Sequence, residues 1–172
     1  MAATFGAKGV IVHGGSVGEG GDIGQGYENW GKAIKEVEDI GVRVLVENTA
    51  GGKNSVARYM DSIERLWEVI GHLNVGLCLD TCHTWAGGIP TIEAVKGFKK
   101  LVKKIDLIHF NDSKDGFESS RDRHENLGKG QIPKEELEYV IKNAKTDIIV
   151  ETPNGPDAQK KDIAWIKRRL KK

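Results

Sequence analysis

The sequence predicts an α/β protein in which helices cover a parallel β-sheet. Five short runs rich in Val, Ile and Leu recur along the 172 residues, and a longer segment with helical spacing follows each of them. Strands that alternate with helices form parallel sheets, because each crossover helix returns the chain to the same end of the sheet. A third observation concerns function, since every one of the five runs ends at a histidine, a glutamate or an aspartate.

The predicted strands are short, apolar and each followed by one side chain that could bind a metal. They are Gly9–Val12 before His13, Val42–Val46 before Glu47, Val75–Leu79 before Asp80, Leu107–Ile108 before His109, and Asp147–Val150 before Glu151. In a (β/α) barrel the carboxyl ends of all strands lie on one face, where active sites are built. At any single position a turn or cap residue is the simpler interpretation. Five such residues in succession favour a metal site.

The predicted helices lie between these strands and after the last one. They are Tyr27–Ile40, Ser55–Ile70, Ile92–Lys103, Lys134–Asn143 and Asp157–Leu170. Pro133 and Pro156 stand directly before two of them, where proline is tolerated. Residues 1–8 have the pattern of a last helical turn with its glycine stop at Gly6, followed by a strand.

Five βα units are fewer than the eight of a complete barrel. The prediction is therefore a single domain over residues 1–172, a partial (β/α) TIM-type barrel that lacks the N-terminal βα units. Such a sheet leaves two edges unpaired, and bare edges invite pairing with another chain. We accordingly expect a homo-oligomer or a partner chain that completes the barrel.

The segment Ile108–Ile132 contains a second metal-binding pattern, Asp122-x-His124. Residues two apart in an extended segment point to the same side. A carboxylate and an imidazole directed at one point are ligands typical of Zn²⁺. The alternative interpretation is a polar surface loop that happens to contain a histidine.

Composition narrows the range of functions. The 26 basic and 25 acidic residues nearly cancel, so any nucleic-acid contact must come from a local patch. There is no apolar run of membrane-spanning length and no signal pattern, which predicts a soluble, cytoplasmic protein without a membrane partner. Cys78 and Cys82 would lie roughly 13 Å apart in an extended segment, too far for a disulfide, so we expect reduced thiols.

Six short motifs, in order along the chain, together resemble the endonuclease IV family of zinc-dependent apurinic/apyrimidinic endonucleases, which have a TIM-barrel fold. The motifs are Val12–Ser16, Glu47–Gly51, Asp80–His83, His109–Lys114, Asp122–Gly128 and Glu151–Pro153. The resemblance covers essentially the whole chain, which corresponds to the C-terminal five of the family's eight βα units. One departure is Gly14 in place of the family's usual proline, which we expect to loosen the turn after His13.

The resemblance implies two to three bound zinc ions. It assigns His83, Asp122 and His124 to one ion, and Glu47, Asp80, His109 and Glu151 to a second. A third ion would share Glu47 and use His13, but its other histidine belongs to a strand that this sequence lacks. Glu47 and Glu151 are the candidate catalytic carboxylates, since they would bridge ions and set the geometry of attack.

The activity that the resemblance implies is hydrolysis of the DNA backbone 5′ to an abasic site by metal-activated hydroxide. Four basic residues of the metal-binding loop are candidates for contacts with DNA phosphates, with a solvated loop as the alternative. They are Lys114, Arg121, Arg123 and Lys129. Two other functions stay open: a sugar isomerase or epimerase of the related barrels, and a non-catalytic zinc- or DNA-binding remnant that needs a partner chain.

Overall fold

A parallel five-stranded sheet forms the centre of the structure, a computed structural model that describes residues 2–171. The strands are, in chain order, β1 (Gly9–His13), β2 (Arg43–Glu47), β3 (Val75–Asp80), β4 (Leu107–His109), β5 (Asp112–Ser113), β6 (His124–Glu125) and β7 (Asp147–Ile149). The sheet order is β1-β2-β3-β4-β7, while β5 and β6 form a separate antiparallel pair. Successive strands are neighbours, as in adjoining units of a (β/α) barrel. The predicted partial barrel of five parallel strands is confirmed.

Helices cover one face of this sheet. They are α1 (Ile23–Glu36), α2 (Met60–Ile70), α3 (Thr81–Gly87), α4 (Thr91–Leu101), α5 (Lys134–Asn143) and α6 (Gly155–Leu170). The helix predicted over Lys134–Asn143 has the same bounds as α5, and α4 and α6 differ from their predictions by one or two residues at one end or both. The helix end predicted before β1 is a 3₁₀ turn over Ala3–Phe5, closed by Gly6 in the left-handed region at φ 65°. Met1, at the start of that prediction, lies outside the described residues.

The predicted bounds of α1 are wrong at both ends. The helix begins at Ile23, four residues earlier than predicted, because the Asp22 side chain accepts a hydrogen bond from the backbone N–H of Gly24. Such a cap satisfies a donor that the helix cannot pair internally. The helix ends at Glu36, and residues 38–40 form a separate 3₁₀ turn closed by Gly41 at φ 74°.

The predicted start of α2 at Ser55 is also wrong, since the helix begins at Met60. Backbone groups before Met60 bond instead to neighbouring loops: Val56 N–H donates to Gly15 O at 2.9 Å, and Ala57 O accepts from Thr49 N–H at 2.8 Å. These partners lie far away in sequence. Helical spacing therefore could not predict that hydrogen bonds to them would take the place of the first helical turn. The short helix α3 was not predicted at all.

Side-chain alternation along the strands separates two surfaces of the sheet. Val46, Leu79 and Ile108 point towards the helices and belong to the main hydrophobic core. The opposite face carries a smaller apolar cluster of Leu45, Cys78 and Leu107, with Ile11 packed against it. Because successive side chains in a strand point to opposite faces, the last residues of β1 to β4 lie on this second, inner face. The ligands predicted at the strand ends therefore stand above an apolar floor.

The sheet stays open among the described residues. β1 and β7 each have only one hydrogen-bonded neighbour, and their side chains are partly exposed, with Val12 at 39% and Ile149 at 45%. Unpaired edges of this kind fit the predicted oligomer or partner chain, which remains a prediction. Within residues 2–171, no helix combines the length and the apolar character needed to cross a bilayer.

The helix-side core should dominate stability. Phe98 of α4 is fully buried in that core, whereas Phe5 is 80% exposed. We predict that Phe98→Ala lowers the free energy of unfolding by about 3–5 kcal/mol, because it leaves a cavity that the surroundings fill only partly. The matched change Phe5→Ala should alter it by less than about 0.5 kcal/mol. Denaturant unfolding of the metal-free protein measures both, and equal effects would contradict the assigned core.

Candidate metal centre

The five predicted strand ends meet at one rim of the sheet. His13, Glu47, Asp80 and His109 are the last residues of β1 to β4, and Glu151 follows β7 by two residues. Parallel pairing places His13 beside Glu47 and Asp80 beside His109. A cavity at this rim is bordered by four of these residues, by other candidate ligands, and by apolar side chains of β1 and β7.

Four of these side chains form one compact group. Donor atoms of Glu47, Asp80, His109 and Glu151 all lie within 4.8 Å of one another. The Nδ1 atom of His109 is 2.7 Å from Glu47 Oε1 and 3.1 Å from Glu151 Oε2. Three carboxylates and one imidazole match the number and type of ligands of a divalent ion such as zinc. This is the set that the resemblance implies for one ion.

The second group surrounds Asp122. Its Oδ1 atom is 3.0 Å from Nε2 of His83 and 3.2 Å from Nε2 of His124. Both Nε2 atoms are nevertheless buried without a properly directed hydrogen bond to any described residue. The two Nε2 atoms are thus close to the carboxylate but are not directed at it as hydrogen-bond donors. This is the arrangement expected if both imidazole lone pairs point at a common ion.

The other ring nitrogens support this interpretation. Nδ1 of His83 is 2.9 Å from the carbonyl oxygen of Asn48, and Nδ1 of His124 is 3.3 Å from the carbonyl oxygen of Glu151. A carbonyl can only accept, so each Nδ1 must carry the proton, and the neutral ring keeps its Nε2 lone pair free for a metal. The donor atoms therefore fit a divalent ion.

His13 lies at the edge of both groups. Its Nε2 atom is 3.3 Å from Glu47 Oε2, its side chain is 60% exposed, and its ring is 5.4 Å from that of His83. Donor atoms of His13, His83 and Asp122 also lie within 4.8 Å of one another. The structure thus places His13 against both Glu47 and the Asp122 group.

Two asparagines, to which the sequence pattern assigned no role, hold the ligands in place. Asn48 exchanges two hydrogen bonds with the backbone of Asp80. Asn111 donates to Asp80 Oδ2 at 2.7 Å and accepts from the backbone N–H of Glu151 at 2.8 Å. Each asparagine follows a ligand closely in sequence, at +1 after Glu47 and +2 after His109. That proximity was the available signal.

The turn after His13 is not loosened by Gly14. Gly14 is buried, its N–H donates to Glu47 O at 2.8 Å, and a Cβ at this position would lie 2.2 Å from the Cβ of Ala57. A proline here would lose this hydrogen bond and meet Ala57. The expectation of a looser turn is wrong, because the close approach of two loops requires glycine.

Asp112 organises the loop that carries Asp122 and His124. Its buried carboxylate accepts four backbone hydrogen bonds, from the N–H groups of Ser113, Gly128, Gly130 and Ile132 at 2.8–3.1 Å. Backbone donors enclosing one carboxylate fix the path of a loop without needing a cation. The second half of the loop is therefore fastened to β5.

The charged groups at the rim perturb one another strongly. Burial raises the pKa of the Asp80 carboxyl, although His83 and His124 oppose the shift. Burial opposes the protonation of His83, but Asp80 and Asp122 outweigh it and raise its pKa to about 9. Burial also opposes the protonation of His109, but hydrogen bonds with Cys78, Glu151 and Glu47 raise its pKa to about 12. The positive charge of protonated histidines thus balances the negative charge of the carboxylates when no metal is bound.

The four predicted DNA-binding residues are exposed, but some of them already form ion pairs with a carboxylate of the protein. Arg123 makes a two-pronged ion pair with Asp115, with Nε 2.6 Å from Oδ2. Arg121 is 3.7 Å from the same carboxylate. Lys114 and Lys129 form no ion pair within the described part of the chain. The structure therefore gives Arg123 an internal partner that the sequence did not indicate.

The fold and rim define a partial (β/α) barrel with a candidate centre for divalent metal at the carboxyl ends of its strands. A sequence model of the family described as "Xylose isomerase-like TIM barrel" matches residues 1–169. The chain belongs to this family.

Within the family, its relatives include proteins named "Probable endonuclease 4". It is 46% identical over 169 residues to the one from Mycobacterium ulcerans and 48% identical over 168 residues to the one from Mycobacterium tuberculosis. The matches cover 98% of this chain and 66% of each relative, so the chain spans just under two thirds of the length of the curated relatives it matches. The resemblance to endonuclease IV is confirmed.

Solved structures give the same result. The crystal structure of endonuclease IV from Thermus thermophilus superposes with a TM-score of 0.77 at 30% identity, over 99% of this chain and 64% of that one. A D-tagatose 3-epimerase-like protein superposes with a TM-score of 0.74 at 20% identity, over the same shares. At that identity the second likeness shows the fold alone.

The proton balance at the rim predicts how zinc binding depends on pH. Zinc must displace the protons held by His83, up to about pH 9, and by His109, up to about pH 12. Because a ligand must lose its proton before it binds the metal, the apparent affinity should rise with pH, roughly tenfold per pH unit for each proton displaced. Competition with a chromophoric chelator between about pH 6.5 and about pH 8.5 measures the slope. An affinity that does not change over this range would contradict the assignment.

Proposed function

We propose that the chain is a zinc-dependent DNA-repair endonuclease that hydrolyses the phosphodiester bond 5′ to an abasic site. The observation that carries the proposal is the convergence at one rim of four carboxylates and four histidines from separate elements. Similarity to proteins named endonuclease 4 supports DNA as the substrate. The residues proposed as ligands are His13, Glu47, Asp80, His83, His109, Asp122, His124 and Glu151.

Zinc, when bound, would supply a water of lowered pKa and positive charge beside the phosphoryl oxygens. The chain's own contribution is to hold the ligands at fixed positions. Glu47 presents Oε1 to His109 and Oε2 to His13, so its two oxygens face different groups, as a bridging carboxylate requires. Glu151 is more exposed to solvent than Glu47. We assign these two carboxylates the catalytic role of setting the direction of attack on the phosphate.

Two ion sites have three or four donors each, and both are proposed to bind zinc. A third ion would have Glu47 and His13 as its donors within residues 2–171. The proposed number of zinc ions is therefore two to three.

DNA is proposed to lie across the rim beside the Asp122 group. A cleft of about 340 Å³ there is lined by His13, His83 and Asp122 and by hydroxyl side chains such as Ser16 and Ser55. Lys114, Arg121, Arg123 and Lys129 are the proposed phosphate contacts. Arg123 would have two roles, because its ion pair with Asp115 also stabilises the conformation of the loop.

A second candidate is a non-catalytic zinc-binding chain that works only with a partner. The two open sheet edges and the exposed position of His13 favour it. Sedimentation of the purified chain would identify a homo-oligomer.

A cytoplasmic location remains part of the proposal and is supported by the two free, buried cysteines, because reducing compartments keep thiols unpaired.

Zinc content and incision of an oligonucleotide with one abasic site distinguish these functions. Two to three zinc ions per chain together with incision support the endonuclease. Zinc without incision supports the non-catalytic chain, and turnover of a sugar without incision would support an isomerase or epimerase. A chain that neither binds zinc nor cuts DNA would refute the proposal.

Removal of one ligand gives a sharper prediction. His109→Ala should lower zinc content by about one ion and abolish incision, because it removes a ligand whose carboxylate partners stay charged. His72→Ala is the matched control, since His72 is exposed and belongs to none of the candidate ligand groups found in the described part of the chain. Elemental analysis and an incision assay measure both variants. Incision at the wild-type rate by His109→Ala would show that the ligand is wrongly assigned.

The basic residues predict a salt effect on DNA binding. Lys129→Ala should reduce the slope of log affinity against log salt by about 1, as expected for the loss of one phosphate contact. Lys103→Ala should leave the slope unchanged, because Lys103 follows α4 and lies at the opposite end of the sheet. Binding to a cleavage-resistant abasic duplex at several salt concentrations provides the measurement. Equal slopes for both variants would remove Lys129 from the interface.

A further inference from the structure

A buried carboxylate in the helix layer connects two of the ligand-bearing loops. Asp162 lies in α6 and is 4% exposed. Its Oδ1 accepts from the backbone N–H of Leu127 at 3.0 Å. Its Oδ2 accepts from Asn126 Nδ2 at 2.8 Å and from Thr152 Oγ1 at 2.6 Å. The three donors come from two separate loops.

Each of these loops carries a candidate ligand. Asn126 lies two residues after His124, and Thr152 directly follows Glu151. His124 and Glu151 belong to different proposed ion sites, yet Nδ1 of His124 contacts the carbonyl oxygen of Glu151 at 3.3 Å. A shift of either loop would therefore move ligands of both ions relative to each other.

The two loops are joined by further hydrogen bonds around Asp162. Asn126 Nδ2 also donates to Pro153 O at 3.1 Å, and Asn126 Oδ1 accepts from Asn154 Nδ2 at 2.8 Å. Asn126 and Thr152 are 1% and 2% exposed. These two buried side chains therefore depend on protein groups for their hydrogen-bond partners.

The cost of burying Asp162 indicates that it does more than fill space. No nitrogen of a lysine, arginine or histidine lies within 4.0 Å of its oxygens in the described part of the chain. A buried carboxylate without a cation is unfavourable unless hydrogen bonds compensate for the lost hydration. Apolar packing would be achieved more easily by leucine. What only a carboxylate provides here is acceptor capacity for three donors in a fixed arrangement.

We propose that Asp162 is a positioning residue that fixes the positions of Glu151 and His124 relative to each other, and so couples the two ion sites. This inference rests on the proposed metal centre. Asp162 touches neither ion site, and it acts through the backbone of the loops that carry the ligands. Residues that orient metal ligands in this way typically change metal affinity by about 10–100-fold when they are replaced.

Asp162→Asn tests the acceptor requirement with almost no change in shape. An amide has one acceptor oxygen, so its NH₂ group must face either Asn126 Nδ2 or the Leu127 N–H, both of which are donors. Thr152→Val removes only the hydrogen bond between Asp162 and the loop that carries Glu151. Asp157→Asn is the matched control, since Asp157 lies exposed in the first turn of the same helix and, among residues 2–171, forms an ion pair only with Lys160.

Zinc affinity of each variant, measured by chelator competition and elemental analysis, tests the proposal. Asp162→Asn should weaken binding about 10–100-fold, and Thr152→Val should weaken binding of the ion assigned to Glu151 more than binding of the ion assigned to His124. Asp157→Asn should match the wild type. Circular dichroism of the metal-free variants shows whether the fold persists. If Asp162→Asn fails to fold, Thr152→Val carries the test alone.

The possible failures are distinguishable. If the wild-type chain binds zinc and both Asp162→Asn and Thr152→Val bind it within twofold of wild type, the positioning role is overturned. Equal weakening of both ions by Thr152→Val would also overturn it, since the effect would then be general destabilisation. A wild-type chain without bound zinc would refute the proposed metal centre itself.

Discussion

Buried negative charge at the carboxyl ends of the strands is the constraint on which the rest of the rim depends. Asp80 is fully buried and Glu47 nearly so, and both stand above the apolar floor formed by Leu45, Cys78 and Leu107. Carboxylates in such a place are stable only if positive charge and hydrogen-bond donors surround them. The histidines of the rim supply the charge when protonated. A divalent ion would supply it in their place.

This constraint explains why so many loop residues are polar and buried. Asn48 holds the backbone of Asp80 and Asn111 donates to its carboxylate, while Asp112 accepts hydrogen bonds from the backbone of the loop that carries His124. The same physics extends outward to the helix layer, where Asp162 ties two loops to α6. Hydrogen bonds from the loops fix the candidate ligands, and hydrogen bonds from α6 in turn fix those loops.

The fold itself does not select the chemistry. The same arrangement of strands and helices superposes on an endonuclease IV and on an epimerase-like protein. What differs among such proteins is the set of side chains presented at the strand ends. In this chain the group around Asp122, with His83 and His124, adds donors beyond the group of Glu47, Asp80, His109 and Glu151. That addition supports the proposal of a centre with more than one ion.

The sequence by itself determined the five strands of the parallel sheet, the helix α5 and the side chains that follow those strands, because these depend on local periodicity and on the rule that parallel strands finish on one face. The antiparallel pair β5 and β6 was not predicted. It also carried the motifs by which the family was recognised. Tertiary structure alone decided the start of α2, the close packing of Gly14 against Ala57, and the pairing of Arg123 with Asp115. It alone showed Asp162 reaching loops that lie 10 to 36 residues away. The physical reason is that these contacts join residues distant in the chain, and no local pattern encodes which hydrogen-bond partner a folded loop will offer.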